Sequence, residues 1–229
     1  MPPNTPSAMP HTSTANNAAL TMEEFGKWRS PHAPVFWAHW VIRTTRPERL
    51  VDWYQKVFGA RVVYSNERLT FLTWDAESHR LAIVRMPAVV RLIPSLGRWS
   101  RKFGGIDHLS FNFGSLERLL TEYQRIKREG IEPVWCINHG PTTSIYFDDP
   151  EGVRLEFQVD NYDDVRGLLD FAASGDFELN PIGVNFDPDY LLERLQMGVP
   201  LSELRKRGSG TRPGQREVGG MKAINWKTL

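Results

Sequence analysis

The chain has 229 residues, of which 41% are hydrophobic and 24% charged, with a formal net charge of +1. These values suit one globular domain with tails, or one built from two similar halves. They give no footing for nucleic acid or an anionic membrane, and no apolar run approaches the roughly 18 residues that a membrane-spanning helix needs.

Residues 1–33 are polar and rich in Pro, Ala, Asn and Thr, the composition of a flexible tail. They lack the basic start and apolar stretch of a signal peptide. The single cysteine, Cys136, excludes an intrachain disulfide. Together these features point to a reducing, cytoplasmic setting.

Residues 34–87 form a first unit. Trp37 to Arg43 reads as a strand, and Pro47 to Phe58 as an amphipathic helix with Leu50, Trp53, Tyr54 and Val57 on one face and Gly59 as its stop. Ala60 to Ser65, Leu69 to Trp74 and Arg80 to Met86 read as three further strands. Pro87 breaks the pattern, and a basic linker, 88–104, follows.

Residues 105–162 repeat that order. Laying His39 over His108 puts Glu48-Arg49-Leu50 on Glu117-Arg118-Leu119 and Tyr54-Gln55 on Tyr123-Gln124 at one constant offset. The strand His108 to Phe113 leads into a helix, Ser115 to Lys127, with an apolar face of Leu116, Leu119, Leu120, Tyr123 and Ile126. Strands follow at Glu132 to Ile137, Thr143 to Phe147 and Arg154 to Val159, the last two joined by the turn Asp148-Asp149-Pro150-Glu151-Gly152. The predicted fold is therefore α+β: two tandem βαβββ modules making a half-open, curved, mixed β-sheet, with a C-terminal helical extension over 163–204.

Within that extension Tyr162 to Ala173 is expected to form a short helix and Asn180 to Gly183 an extended arm. Asp187 caps a helix that has Pro188 in its first turn and carries Tyr190, Leu191, Leu192 and Leu195. Its apolar residues are expected to pack on the sheets or on a partner subunit, and so are compatible with a homodimer. Residues 205–229, basic and Gly-rich, are expected to be mobile.

Two of the six histidines, His39 and His108, hold equivalent positions early in the first strand of each unit. A duplicated strand position in a pseudo-twofold fold can bring two side chains together across the axis. A third candidate comes from the last strands, where Arg80-Leu81-Ala82 aligns with Arg154-Leu155-Glu156. By alternation Leu155 and Phe157 take one face and Glu156 the other. A carboxylate pointing inward is costly unless it is paired or binds a metal. Two imidazoles and a carboxylate form a facial triad, which favours non-haem Fe(II); Zn(II) also accepts such a set, and Mn(II) is a further alternative.

These motifs resemble those of a known family. Ala38-His39-Trp40, Ser78-His79-Arg80-Leu81-Ala82, Ile106-Asp107-His108-Leu109 and the run from Tyr146 to Glu156 are similar to the vicinal oxygen chelate superfamily, and within it to the type I extradiol ring-cleavage dioxygenases. Ala82 suits that branch, because glyoxalase-type members usually place a ligand there. Many extradiol enzymes have four such units, and this chain has two. The resemblance implies His39, His108 and Glu156 as metal ligands, and three residues handling protons and substrate: His79 as acid/base, Tyr146 bonding the substrate oxygen, and His139. It implies a small aromatic substrate, O2, and no nucleic acid or membrane partner. The alternatives it leaves open are an isomerase, epimerase, lyase or thiol transferase on the same metal, and a small-molecule binder. Trp74, Trp135, Phe71 and Phe147 fit either a pocket wall or strand core.

Overall fold

The computed structural model of the chain describes residues 37–87 and 106–223. The expected N-terminal tail, the linker 88–104 and residues 224–229 lie outside the described residues. The first module runs β1 (Trp40–Thr44), α1 (Pro47–Phe58), β2 (Arg61–Ser65), β3 (Leu69–Thr73) and β4 (Leu81–Arg85). The second runs β5 (Leu109–Asn112), α2 (Leu116–Arg128), β6 (Trp135–Asn138), β7 (Thr142–Asp148) and β8 (Arg154–Asp160). Each module folds into a mixed sheet with one topology. The order is β1-β4-β3-β2 in the first and β5-β8-β7-β6 in the second. In both, the first strand pairs in parallel with the last and the remaining pairs are antiparallel.

The helices form where the apolar periodicity places them. α1 has Pro47 in its first turn, and Gly59 closes it in the left-handed conformation at φ 64°. The Ser115 side chain accepts from the Arg118 amide to cap α2. Both helices bury the expected faces: Leu50, Trp53, Tyr54 and Val57 on α1, and Leu116, Leu119, Leu120, Tyr123 and Ile126 on α2. These side chains join one core with Leu72, Leu81, Ile83, Phe147, Leu155 and Phe157. The modules are stitched together by polar contacts as well. Tyr54 donates to Asp149 at 3.1 Å, and the Arg125 guanidinium donates to the Lys56 and Val57 carbonyls at the end of α1.

The first strands begin later than expected. Ladder pairing starts at Trp40 with Leu81 and at Leu109 with Leu155, so His39 and His108 stand just ahead of their strands. β6 begins at Trp135 instead of Glu132, because Pro133 has no amide hydrogen to give.

Beyond β8 come α3 (Val165–Ala173), α4 (Asp176–Leu179), β9 (Val184–Asn185), α5 (Pro188–Gln196) and α6 (Leu201–Leu204). The expected arm ends in β9, which pairs with β6 and extends the second sheet to five strands. Asp187 caps α5, accepting from the amides of Asp189 and Tyr190. Leu191 and Leu192 are buried inside the chain, and Asp189 bonds Tyr123 and Lys127 of α2. Of the apolar residues expected to pack on the sheets or on a partner, Leu191 and Leu192 are taken up within the chain, while Tyr190 and Leu195 are half-buried. The tail expected to be mobile is, as far as residue 223, pinned in place. Arg212 pairs with Asp187 and Glu193, Arg194 donates to the Ser209 carbonyl, and Ala223 is fully buried. Its basic residues meet acids and carbonyls of the fold, which composition alone could not show. Among the described residues no helix is long and apolar enough to cross a membrane.

Candidate metal centre

Sheet register places Glu156. On one side it faces Ser110 of β5, and on the other Tyr146 of β7. Its neighbours in sequence, Leu155 and Phe157, turn into the core, so alternation sends Glu156 to the opposite face. It is only 5% exposed there. Oε1 accepts from the Tyr146 hydroxyl at 2.6 Å, and Oε2 lies 3.1 Å from His108 Nε2. The other ring nitrogen of His108 is 2.7 Å from Asp107.

The electrostatics follow from this cradle. Burial works to raise the Glu156 carboxyl, but His108, Tyr146, Ser110 and Ser144 outweigh it and hold it at about 2. It is anionic at neutral pH. The same contact with Glu156, helped by Asp107, raises His108 against the opposing effect of burial. Burial, and then the charge of Glu156, push the Tyr146 hydroxyl far above the usual phenol range, so it stays a hydrogen-bond donor.

This pair fits a divalent cation. Two metal–ligand bonds of about 2.1 Å at a right angle separate their donor atoms by about 3 Å, which matches the spacing of His108 Nε2 and Glu156 Oε2. Without a metal His108 can donate to both Asp107 and Glu156; with one bound, Asp107 would keep the proton on Nδ1 and leave the Nε2 lone pair to the metal, the arrangement typical behind metal-bound histidines. The sequence reading missed Asp107, Ser110 and Ser144. The acidic residue directly before a candidate ligand was a signal for the first; the serines become visible only through register.

His139 lies 3.1 Å from the Tyr146 hydroxyl through Nε2, and its Nδ1 meets the carbonyl of Ile182. A carbonyl only accepts, so Nδ1 carries the proton. Burial lowers the basicity of His139, so it is neutral and turns the Nε2 lone pair toward Tyr146. The single phenolic proton then has two acceptors, Glu156 and His139. Trp135 stacks on Tyr146 at 5.1 Å between centroids. Phe147, by contrast, is core, with no exposed surface.

The remaining expected residues gather elsewhere. His39, on the exposed side of the first module, packs its ring against His79 at 4.5 Å, and His79 stacks on Phe71 at 4.3 Å. Among the described residues no three His, Cys, Asp or Glu side chains converge as a metal set. The structure therefore assembles His108 with Glu156, and His39 with His79, as two separate pairs. A cleft of about 550 Å³ runs between the edges β1 and β5. Trp37, Trp40 and Trp74 line it from the first module, and His108, Ser110 and Phe111 from the second. His108 thus borders both the cleft and Glu156.

Residues 37–157 match the model of the Glyoxalase/Bleomycin resistance protein/Dioxygenase superfamily. The chain belongs to this superfamily. Two curated members from Rhodococcus globerulus are similar to it over most of their length. Biphenyl-2,3-diol 1,2-dioxygenase 2 is 36% identical over 73% of this chain and 85% of its own. Biphenyl-2,3-diol 1,2-dioxygenase 3 is 36% identical over 74% and 87%. Among solved structures, a putative glyoxalase from Bacillus halodurans covers 55% of this chain and 96% of its own at 17% identity, with a TM-score of 0.43. The superfamily match ends in β8, so β9 and the helices around it lie outside the shared core.

Proposed function

We propose that this protein is an Fe(II)-dependent extradiol dioxygenase, which opens the ring of a catechol-like aromatic next to its two hydroxyls. One observation carries the reading. A buried, anionic carboxylate offers one oxygen beside an imidazole while its other oxygen is held by a phenol that a second imidazole backs. The two Rhodococcus relatives, whose names specify a 2,3-diol and a 1,2-dioxygenase, support it.

His108 and Glu156 would hold the metal; His39, which the structure pairs with His79, is the third ligand that the family resemblance implies. Bound there, Fe(II) would supply a Lewis acid that lowers the pKa of the catechol hydroxyls and a redox centre for the reaction with dioxygen. The chain's own residues do the rest. Glu156 keeps its charge because His108 meets one oxygen and the Tyr146 hydroxyl bonds the other. Tyr146 would not ionise: as its oxygen accepts a proton from a substrate hydroxyl, its own proton would pass to His139 Nε2 in the same step, and the reverse movement would return it to the oxygen left behind. His79 is the second acid/base, on the face of the first module. The cleft beside His108, lined by Trp37, Trp40 and Trp74 and also by the paired Asp75 and Arg80, would suit a flat, largely apolar substituent on the catechol.

The test is anaerobic reconstitution with Fe(II), followed by oxygen uptake with a panel of catechols that includes 2,3-dihydroxybiphenyl. Uptake with a yellow ring-opened product, absent in His108→Ala, is the expected result. Tight metal binding without uptake from any catechol would overturn the oxygenase reading in favour of a non-oxygenase reaction at the same centre.

A further inference from the structure

The C-terminal segment lies against one residue of the candidate centre from several directions. Asn138 ends β6 and His139 follows it directly, and Asn138 pairs with Val184 of β9. The turn before β9 brings the Ile182 carbonyl onto His139 Nδ1. That approach requires glycine next in the chain. Gly183 has φ +116°, and a Cβ there would sit 2.3 Å from the Asn138 carbonyl oxygen and 2.7 Å from His139 Cα. Asn180 holds the turn closed, donating to the Gly183 carbonyl and accepting from the Gly183 amide.

A later stretch of the segment, just after α6, returns behind the same spot. Arg207 donates through one nitrogen to two carbonyls, those of His139 and Asn180, and so ties the histidine's backbone to the turn that carries Ile182. Its guanidinium lies over the Phe171 ring at 5.1 Å, and Asn138 donates to the Arg205 carbonyl at 2.8 Å. On the strand beside it, Asn185 accepts from the Trp135 indole, whose ring stacks on Tyr146.

We infer that the C-terminal segment is a working part of the catalytic centre. The Ile182 carbonyl holds His139 as its Nδ1–H tautomer with Nε2 free for Tyr146, and Arg207 is the positioning residue that fixes carbonyl and histidine together. The inference rests on His139 and Tyr146 being the proton-handling pair. A neutral imidazole with its proton on Nδ1 can only accept at Nε2; the other tautomer could only donate there. The choice between base and donor is thus made by a carbonyl outside the superfamily core. Arg207 touches no substrate in this scheme and acts only through His139.

The experiment has two readouts on the full chain. Long-range 1H–15N spectra of the 15N-histidine-labelled protein, with Zn(II) as a diamagnetic metal, report the His139 tautomer, its signal being assigned by its loss in His139→Gln. The Nδ1–H form is expected, with a shift toward a mixture in Arg207→Ala and partial restoration in Arg207→Lys. An Nε2–H form in the unaltered chain would overturn the inference, as would a tautomer indifferent to Arg207→Ala. The second readout is oxygen uptake. Arg207→Ala is expected to lower kcat about tenfold with KM for the catechol within about twofold, and to cost nothing further in a His139→Ala background. An equal fall in both backgrounds would mark Arg207 as merely structural and sink the proposal. If no catechol is turned over, the dioxygenase reading fails, while the tautomer measurement still decides this one.

Discussion

The two modules share one backbone plan, and the difference between their faces away from the helices explains where chemistry resides. In the first, Val41, Ala82 and Phe71 sit side by side across β1, β4 and β3. In the second, the equivalent register positions are Ser110, Glu156 and Tyr146. One face is an apolar wall and the other a carboxylate with hydroxyl donors on both sides. The histidines follow the same division. His108 stands behind an acid, Asp107, and before Glu156, whereas His39 follows Ala38 and rests on His79. A duplicated scaffold needs one set of polar substitutions, in three adjacent strands, to turn a hydrophobic surface into a candidate ion site. Burial makes each substitution depend on the others, because a buried carboxylate without donors is costly.

That dependence can be broken on purpose. Glu156→Ala makes the second face resemble the first; Fe(II) affinity measured by anaerobic titration should fall by more than about 100-fold, and oxygen uptake should vanish with it. The reverse change is equally informative. Ala82→Glu puts a carboxylate on the first face, where position 82 is buried and Phe71 has no hydroxyl to offer. Denaturant unfolding should show a loss of about 3–4 kcal/mol, with part of it recovered in the double variant Ala82→Glu/Phe71→Tyr. A subtler swap, Tyr146→Phe, copies Phe71 into the second face. It should lower kcat by roughly 100-fold while metal affinity changes by much less, since Glu156 keeps His108, Ser110 and Ser144.

The seam between the modules carries the smallest expected effect and a distinct pH signature. Burial raises Asp149 to about 6, although it accepts from the Glu151 and Val153 amides and from Tyr54. A carboxyl raised above its unfolded value contributes stability that is complete below that value and is lost as pH rises through the folded one. The window therefore runs from about 4 to about 6. Asp149→Asn retains the shape and the amide acceptor but cannot ionise. Its stability relative to the unaltered chain should rise by about 2 kcal/mol across that window, read from thermal unfolding at pH 4 and pH 7. A flat difference would mean that Asp149 is more solvated at the seam than the structure shows.

Much of this was legible in the residues. Apolar spacing with Gly59 and Ser115 at the ends located both helices, because a helix must bury one stripe and satisfy its ends locally. The offset between repeats exposed the tandem modules. The contrast of Ala82 with Glu156 picked out the carboxylate before any geometry was known, and the Tyr146–Glu156 spacing proved to be a cross-strand pair. What sequence could not supply was partnership across strands and segments. Ser110 and Ser144 look like ordinary strand serines until register sets them beside Glu156. Arg205, Arg207 and Arg212 look like a loose basic tail until Asp163, the His139 carbonyl and Asp187 receive them. Local propensity and periodicity are properties of neighbouring residues, so sequence alone determined the elements, their repeat and the candidate ligands. Which imidazole meets the carboxylate, and which carbonyl sets the tautomer of His139, depend on contacts between residues far apart in the chain, and only the tertiary structure decided them.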